Sequence, residues 1–136
     1  MKIFSHSAEE TRNLAKTIAA ALTGGETLLL NGELGAGKTT FTKGLAEALG
    51  INKTVLSPTF TIIKEYEGGR LKLYHMDMYR LEDECELEEL GIEDCFDGKS
   101  VVVIEWNKLK HPQGKIINVD IVSKGDDQRE ITIEGL

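Results

Sequence analysis

The sequence predicts an α/β domain built on a mixed sheet, and three observations carry that expectation. The apolar run Thr27-Leu28-Leu29-Leu30 passes directly into a glycine-rich loop at 32–39 and then into an amphipathic helical stretch. Residues 101–104 (VVVI) form a continuous apolar run, as expected of a strand covered on both faces. Two pairs of β-rich segments flank Gly68-Gly69 and Gly125-Asp126-Asp127, and each pair reads as an antiparallel hairpin.

Taken in order, residues 2–4 suit a short edge strand. Ser7, with Glu10 three positions on, forms a capping box that starts a helix reaching about Leu22, with Leu14, Ala15, Ile18, Ala21 and Leu22 on one face. Gly24-Gly25 ends it, and a buried strand over 27–31 follows. A second helix is expected over 38–49, with Phe41, Leu45, Ala48 and Leu49 facing the core and Gly50 closing it. Strands over 59–66 and 70–78 make the first hairpin. A short acidic helix over 83–90 stops at Gly91, the strand over 100–105 comes next, and 115–122 with 129–134 form a closing hairpin. The 136 residues are enough for one sizeable core and too few for two, so residues 1–136 are read as one domain.

Charged residues are 29% of the chain, which argues for a soluble globular protein. No apolar run approaches the roughly 20 residues of a membrane span. The N-terminus lacks a signal-peptide core and is too acidic for a transit peptide, so cytoplasmic residence is expected. Cys85 and Cys95 have no CxxC partner or nearby His and are expected to be structural or incidental thiols. The net charge of −7 argues against autonomous nucleic-acid binding. Eight carboxylates and no Lys or Arg fall in 82–94, which reads either as a solvated face or as a docking surface for a basic partner.

Residues 32–39 (GELGAGKT) match the phosphate-binding pattern GxxxxGK[ST] in full, in the strand–loop–helix setting that pattern needs. Glycines let the backbone wrap around phosphate oxygens, and the following helix turns its unpaired N–H groups toward the anion. Glu33, Leu34, Gly35, Ala36, Gly37, Lys38, Thr39 and Thr40 are therefore the expected nucleotide contacts. Lys38 is expected to reach the β- and γ-phosphates, and the Thr39 hydroxyl to coordinate Mg²⁺. The architecture this implies is a small P-loop NTPase-like three-layer domain. It has too few strand–helix alternations for a full ATPase core.

Glu105 ends the apolar run 101–104, either as an ordinary strand end or, beside the loop, as a carboxylate that can hold Mg²⁺ directly or through water. Asp77, in HMDMYR (75–80), could orient an attacking water or bind Mg²⁺ indirectly, from behind its direct ligands. His75 reads as either structural or catalytic, and Arg80 as a partner of local acid or of phosphate. SPTFT (57–61) could be a switch segment with Thr59 sensing the γ-phosphate, or an ordinary loop. Asn107-Lys108-Leu109-Lys110 imitates the guanine-recognition signature NKxD, but Lys110 stands where the carboxylate is needed. ATP is the better expectation.

The ordered set GELGAGKTTFTKG, SPTFTI, YHMDMYRL, EELGIEDCFD and VVIEW resembles the TsaE family, also called YjeE, over nearly the whole chain. The resemblance implies a compact P-loop fold using ATP and Mg²⁺, with weak hydrolysis when alone. It also implies action with the TsaB–TsaD proteins, which transfer threonylcarbamoyl to adenosine 37 of tRNA, and ATP hydrolysis that resets that complex. By the same resemblance Lys38 matches the phosphate lysine, Thr39 and Glu105 the metal-associated residues, and Asp77 the acid of hydrolysis. Trp106 matches the tryptophan after that glutamate, in a functional or a packing role. The N-terminal segment around Ser7 and the C-terminal hairpin turn around Arg129 would close over adenine.

Two positions depart from the family pattern: Glu33 stands where Asp is usual, and Asn107-Lys108 where Pro-Glu is frequent. Other readings of the same loop are a small-molecule kinase or a non-hydrolysing nucleotide switch. A kinase typically carries an arginine-rich lid, and residues 78–98 contain only Arg80.

Overall fold

The computed structural model describes residues 1–33, 35–56, 62–82 and 84–136. Leu34 and the 57–61 segment with Thr59 lie outside the described residues. The elements run β1 (Lys2–Ser5), α1 (Ala8–Ala19), β2 (Glu26–Asn31), α2 (Lys38–Ala48), β3 (Ile63–Tyr66), β4 (Leu73–Asp77), α3 (Glu84–Glu89), a 3-10 turn (Ile92–Cys95), β5 (Val101–Glu105), β6 (Lys115–Ser123) and β7 (Arg129–Glu134).

One sheet joins the described strands in the order β1-β7-β6-β2-β5-β4-β3. Its centre is parallel, β6, β2, β5 and β4 running side by side, while β1, β7 and β3 are antiparallel to their neighbours. All five residues of β5 are buried, which is why its sequence does not alternate. Because β2, β4 and β5 run in one direction, their C-terminal ends share one edge of the sheet. That edge is where ligands bind in open α/β sheets.

Two apolar layers sandwich the sheet. Ala15, Ile18 and Leu22 from α1 and its end, with Phe41, Leu45 and Leu49 from α2, pack on Leu28, Leu30, Val101, Val103, Ile117 and Val119. Each of these side chains larger than alanine contributes about 1.5–3 kcal/mol through burial. The opposite face packs Leu29, Tyr74, Met76, Met78, Val102 and Ile104 beneath Leu81, Leu87, Ile92 and Cys95. Thus the acidic stretch is anchored by Leu87, Ile92 and Cys95, while Glu88, Glu89, Glu93 and Asp94 are exposed. The two thiols are free.

The differences from the sequence reading have local causes. Helix α1 stops at Ala19 rather than about Leu22, because Ala21 and Leu22 donate to Ile18 and Ala19 in tighter i→i−3 bonds. Arg70 then captures the carbonyls of Ala19 and Leu22 from a distant loop. The capping box forms with a one-residue shift: Ser7 Oγ accepts from Glu10 N–H, and the Glu10 carboxylate accepts from His6 rather than Ser7. The last hairpin does not simply close the sheet. Its first strand, β6, inserts beside β2 near the centre.

Candidate functional site

The site begins where β2 ends. Ala36 N–H donates to Glu33 O across 3.1 Å, turning the loop on itself. Gly37 then sits at φ 109°, a left-handed conformation that suits glycine, and opens α2 without any side-chain cap. The first intrahelical bond runs from Phe41 N–H to Gly37 O at 2.9 Å. The N–H groups of Lys38, Thr39 and Thr40 thus lack intrahelical acceptors, and with the helix dipole they make an anion-receptive end. Thr39 and Thr40 are half-buried, Ala36 is buried, and Glu33 and Gly35 are exposed.

Lys38 is buried at the root of this loop. Its Nζ donates to Gly32 O at 2.7 Å and lies 3.8 Å from the centroid of the Trp106 ring. Burial pushes the Lys38 pKa down, and the nearby carboxylates of Glu105 and Asp77 partly offset that shift. Trp106 adopts a left-handed φ of 55°, uncommon for a bulky residue. This turn directly after β5 accompanies the placement of its ring against Lys38. Tyr79 packs edge-on to the same indole, centroids 5.0 Å apart.

Asp77 and Glu105 are register partners at the ends of β4 and β5, and both are buried. Asp77 Oδ1 accepts from Tyr79 N–H at 2.9 Å. Glu105 Oε2 meets His75 Nε2 at 2.5 Å, and His75 has no solvent exposure. The Asp77 and Glu105 carboxylates are hard oxygen donors of the kind that suits a cation such as Mg²⁺, and Thr39 offers a hydroxyl from the first turn of α2. Among the described residues no cluster of three or more His, Cys, Asp or Glu side chains could hold an ion alone. Oxygen donors of this kind could hold Mg²⁺ together with phosphate oxygens.

The base-contact expectations are placed less directly. Ser7 Oγ is committed to capping α1. Arg129 spends its guanidinium on main-chain carbonyls: Nε on Ala36 at 2.7 Å, Nη2 on Gly35 at 3.3 Å, and Nη1 on Asp126 and Gln128. It ties the glycine-rich loop to the C-terminal hairpin across more than 90 residues of sequence. Arg129, Asp127, Thr40, Gly37, Ala8 and Thr11 line a narrow cleft between the starts of both helices, adjacent to Ser7.

Lys108, one of the two departures, also acquires a place. Its Nζ donates to Tyr79 O at 3.0 Å and to Leu81 O, and its N–H approaches Met78 Sδ at 3.4 Å. It thereby pins the turn that follows Asp77. Partners this far apart in the chain left no local sequence signal.

Residues 5–131 match the family described as threonylcarbamoyl adenosine biosynthesis protein TsaE. The chain belongs to the TsaE family. It is 56% identical over 126 residues to the tRNA threonylcarbamoyladenosine biosynthesis protein TsaE of Bacillus subtilis, covering 91% of this chain and 78% of that one. The Treponema pallidum protein of the same name is 40% identical, with 98% of this chain and 99% of that one covered. Among solved structures, that of Bacillus subtilis YdiB superposes with a TM-score of 0.82 at 46% identity, over 98% of this chain and 83% of that one. This TsaE-family fold has, among its described residues, no helix long and apolar enough to cross a membrane.

Proposed function

We propose that this chain is a cytoplasmic Mg²⁺-dependent ATPase that serves threonylcarbamoylation of tRNA adenosine 37. It would act as an accessory to a TsaB–TsaD complex, with ATP hydrolysis resetting that complex between cycles and tRNA met through it. The observation that carries the reading is buried Lys38, held on Gly32 O and Trp106 at the start of α2, beside the Asp77–Glu105 pair at one sheet edge. The names of the relatives support the pathway assignment.

In this reading the loop N–H groups and the α2 N-terminus receive the phosphates, and Lys38 exchanges its bond to Gly32 O for phosphate oxygens. Thr39 and Glu105 would hold Mg²⁺, which when bound neutralises charge developing on the phosphates. Asp77, oriented by Tyr79 N–H, accepts a hydrogen bond from the attacking water. Arg129 keeps the loop in register with the cleft where the base would lie.

Phosphate release from ATP, measured with and without purified TsaB–TsaD from the same source, tests the proposal. Slow release that the pair stimulates is the expected result. An absence of stimulation would count against the accessory role, and a Lys38→Ala variant with unchanged binding and hydrolysis would sink the site assignment.

A further inference from the structure

We propose that His75 is a positioning residue for Glu105, fixing which carboxylate oxygen is left to meet Mg²⁺. The proposal rests on the Mg²⁺·ATP reading above. The terminal torsion of a glutamate is broad, so a buried Glu carboxylate needs a partner to hold its plane. His75 lies two residues before Asp77 on the same face of β4, and Asp77 is the register partner of Glu105. From there Nε2 meets Glu105 Oε2 at 2.5 Å, leaving Oε1 as the oxygen for a cation.

The ring's other nitrogen supports this assignment. His75 Nδ1 is buried and has no hydrogen-bond partner among the described residues. A ring N–H on Nε2, donated to the carboxylate, fits both facts. Among the described residues the ring's hydrogen bonding is thus directed at one oxygen. Outer partners of this kind orient metal-associated carboxylates, and losing one typically costs about 10–100-fold in metal affinity.

The test is calorimetric titration of ATP, with Mg²⁺ and with EDTA, into wild type, His75→Leu, His75→Gln and His75→Asn, alongside a thermal melt of each. Glutamine carries its amide nitrogen as far from the backbone as Nε2, whereas asparagine carries it only as far as Nδ1. His75→Leu and His75→Asn should lose about 10–100-fold of the Mg²⁺-dependent gain, with affinity in EDTA unchanged. His75→Gln should keep the gain. Should His75→Leu fail to fold, the Gln–Asn contrast decides alone.

An equal gain in all four proteins, or equal losses in Gln and Asn, overturns the positioning role. Losses that appear in EDTA as well would make His75 merely structural. Wild-type binding that ignores Mg²⁺ overturns the metal reading along with this proposal. No ATP binding by wild type overturns the nucleotide reading itself.

Discussion

The ammonium of Lys38 lies 3.8 Å from the centre of the Trp106 ring while it donates to the Gly32 carbonyl. Trp106 is the only tryptophan in the chain, so this contact should be visible by fluorescence. If Lys38 turns to phosphate, it leaves the indole, and a desolvated cation–π contact of about 2 kcal/mol must be replaced by charge-assisted bonds. Saturating Mg²⁺·ATP should therefore shift wild-type emission toward that of ligand-free Lys38→Met. Binding seen by calorimetry without any spectral change would show that Lys38 stays on the ring.

Arg129 joins the Gly35 and Ala36 carbonyls to those of Asp126 and Gln128. Arg129→Ala should weaken nucleotide binding by roughly 10-fold and lower stability by about 1–2 kcal/mol, as expected for charge-assisted bonds at a partly exposed site. Arg129→Lys should recover little, since one ammonium cannot span the planar fork. Nucleotide titrations paired with urea melts check this. Reduced stability with intact affinity would leave Arg129 a structural tie only.

Much of the fold was legible because its signals are local. The glycine-rich loop between an apolar run and an amphipathic helix, the unbroken VVVI of β5 and the Gly68-Gly69 turn each specify their element within a few residues. The positions of Lys38, Asp77 and Glu105 at element ends were legible for the same reason. What stayed hidden depends on partners far along the chain. The loop's hold by Arg129, Lys108 on the Tyr79 and Leu81 carbonyls, and His75 on Glu105 each join residues 27 or more positions apart. The left-handed Trp106 was equally invisible, because nothing in its side chain asks for that conformation.

Gly44 on α2 is a helix-interior glycine that local propensity would count as a defect. A Cβ there would lie 2.4 Å from Arg12 O and 2.9 Å from the Ala15 Cβ, so the glycine allows α1 and α2 to touch. In an exposed helix Gly→Ala stabilises by about 1 kcal/mol. Here Gly44→Ala should instead cost about 1–3 kcal/mol through overpacking, and the sign alone distinguishes the two. A urea midpoint that rises would disprove the close approach.

Glu26 provides a pH-dependent share of stability. Burial opposes its carboxylate, but N–H donors from Thr23 and Gly24, at 2.8 and 2.7 Å, outweigh that and hold its pKa below the ordinary range. With the folded value depressed, the contribution is complete above the unfolded pKa of about 4.3 and fades as pH falls through the lower folded value. Glu26→Gln should thus be less stable than wild type by about 1–3 kcal/mol at about pH 7. The gap should narrow steadily below about pH 4.3, because the unfolded wild type takes up its proton first. Urea melts of both proteins across that range test it. A gap that stays constant with pH would mean that the Thr23–Gly24 turn does not depend on the Glu26 charge.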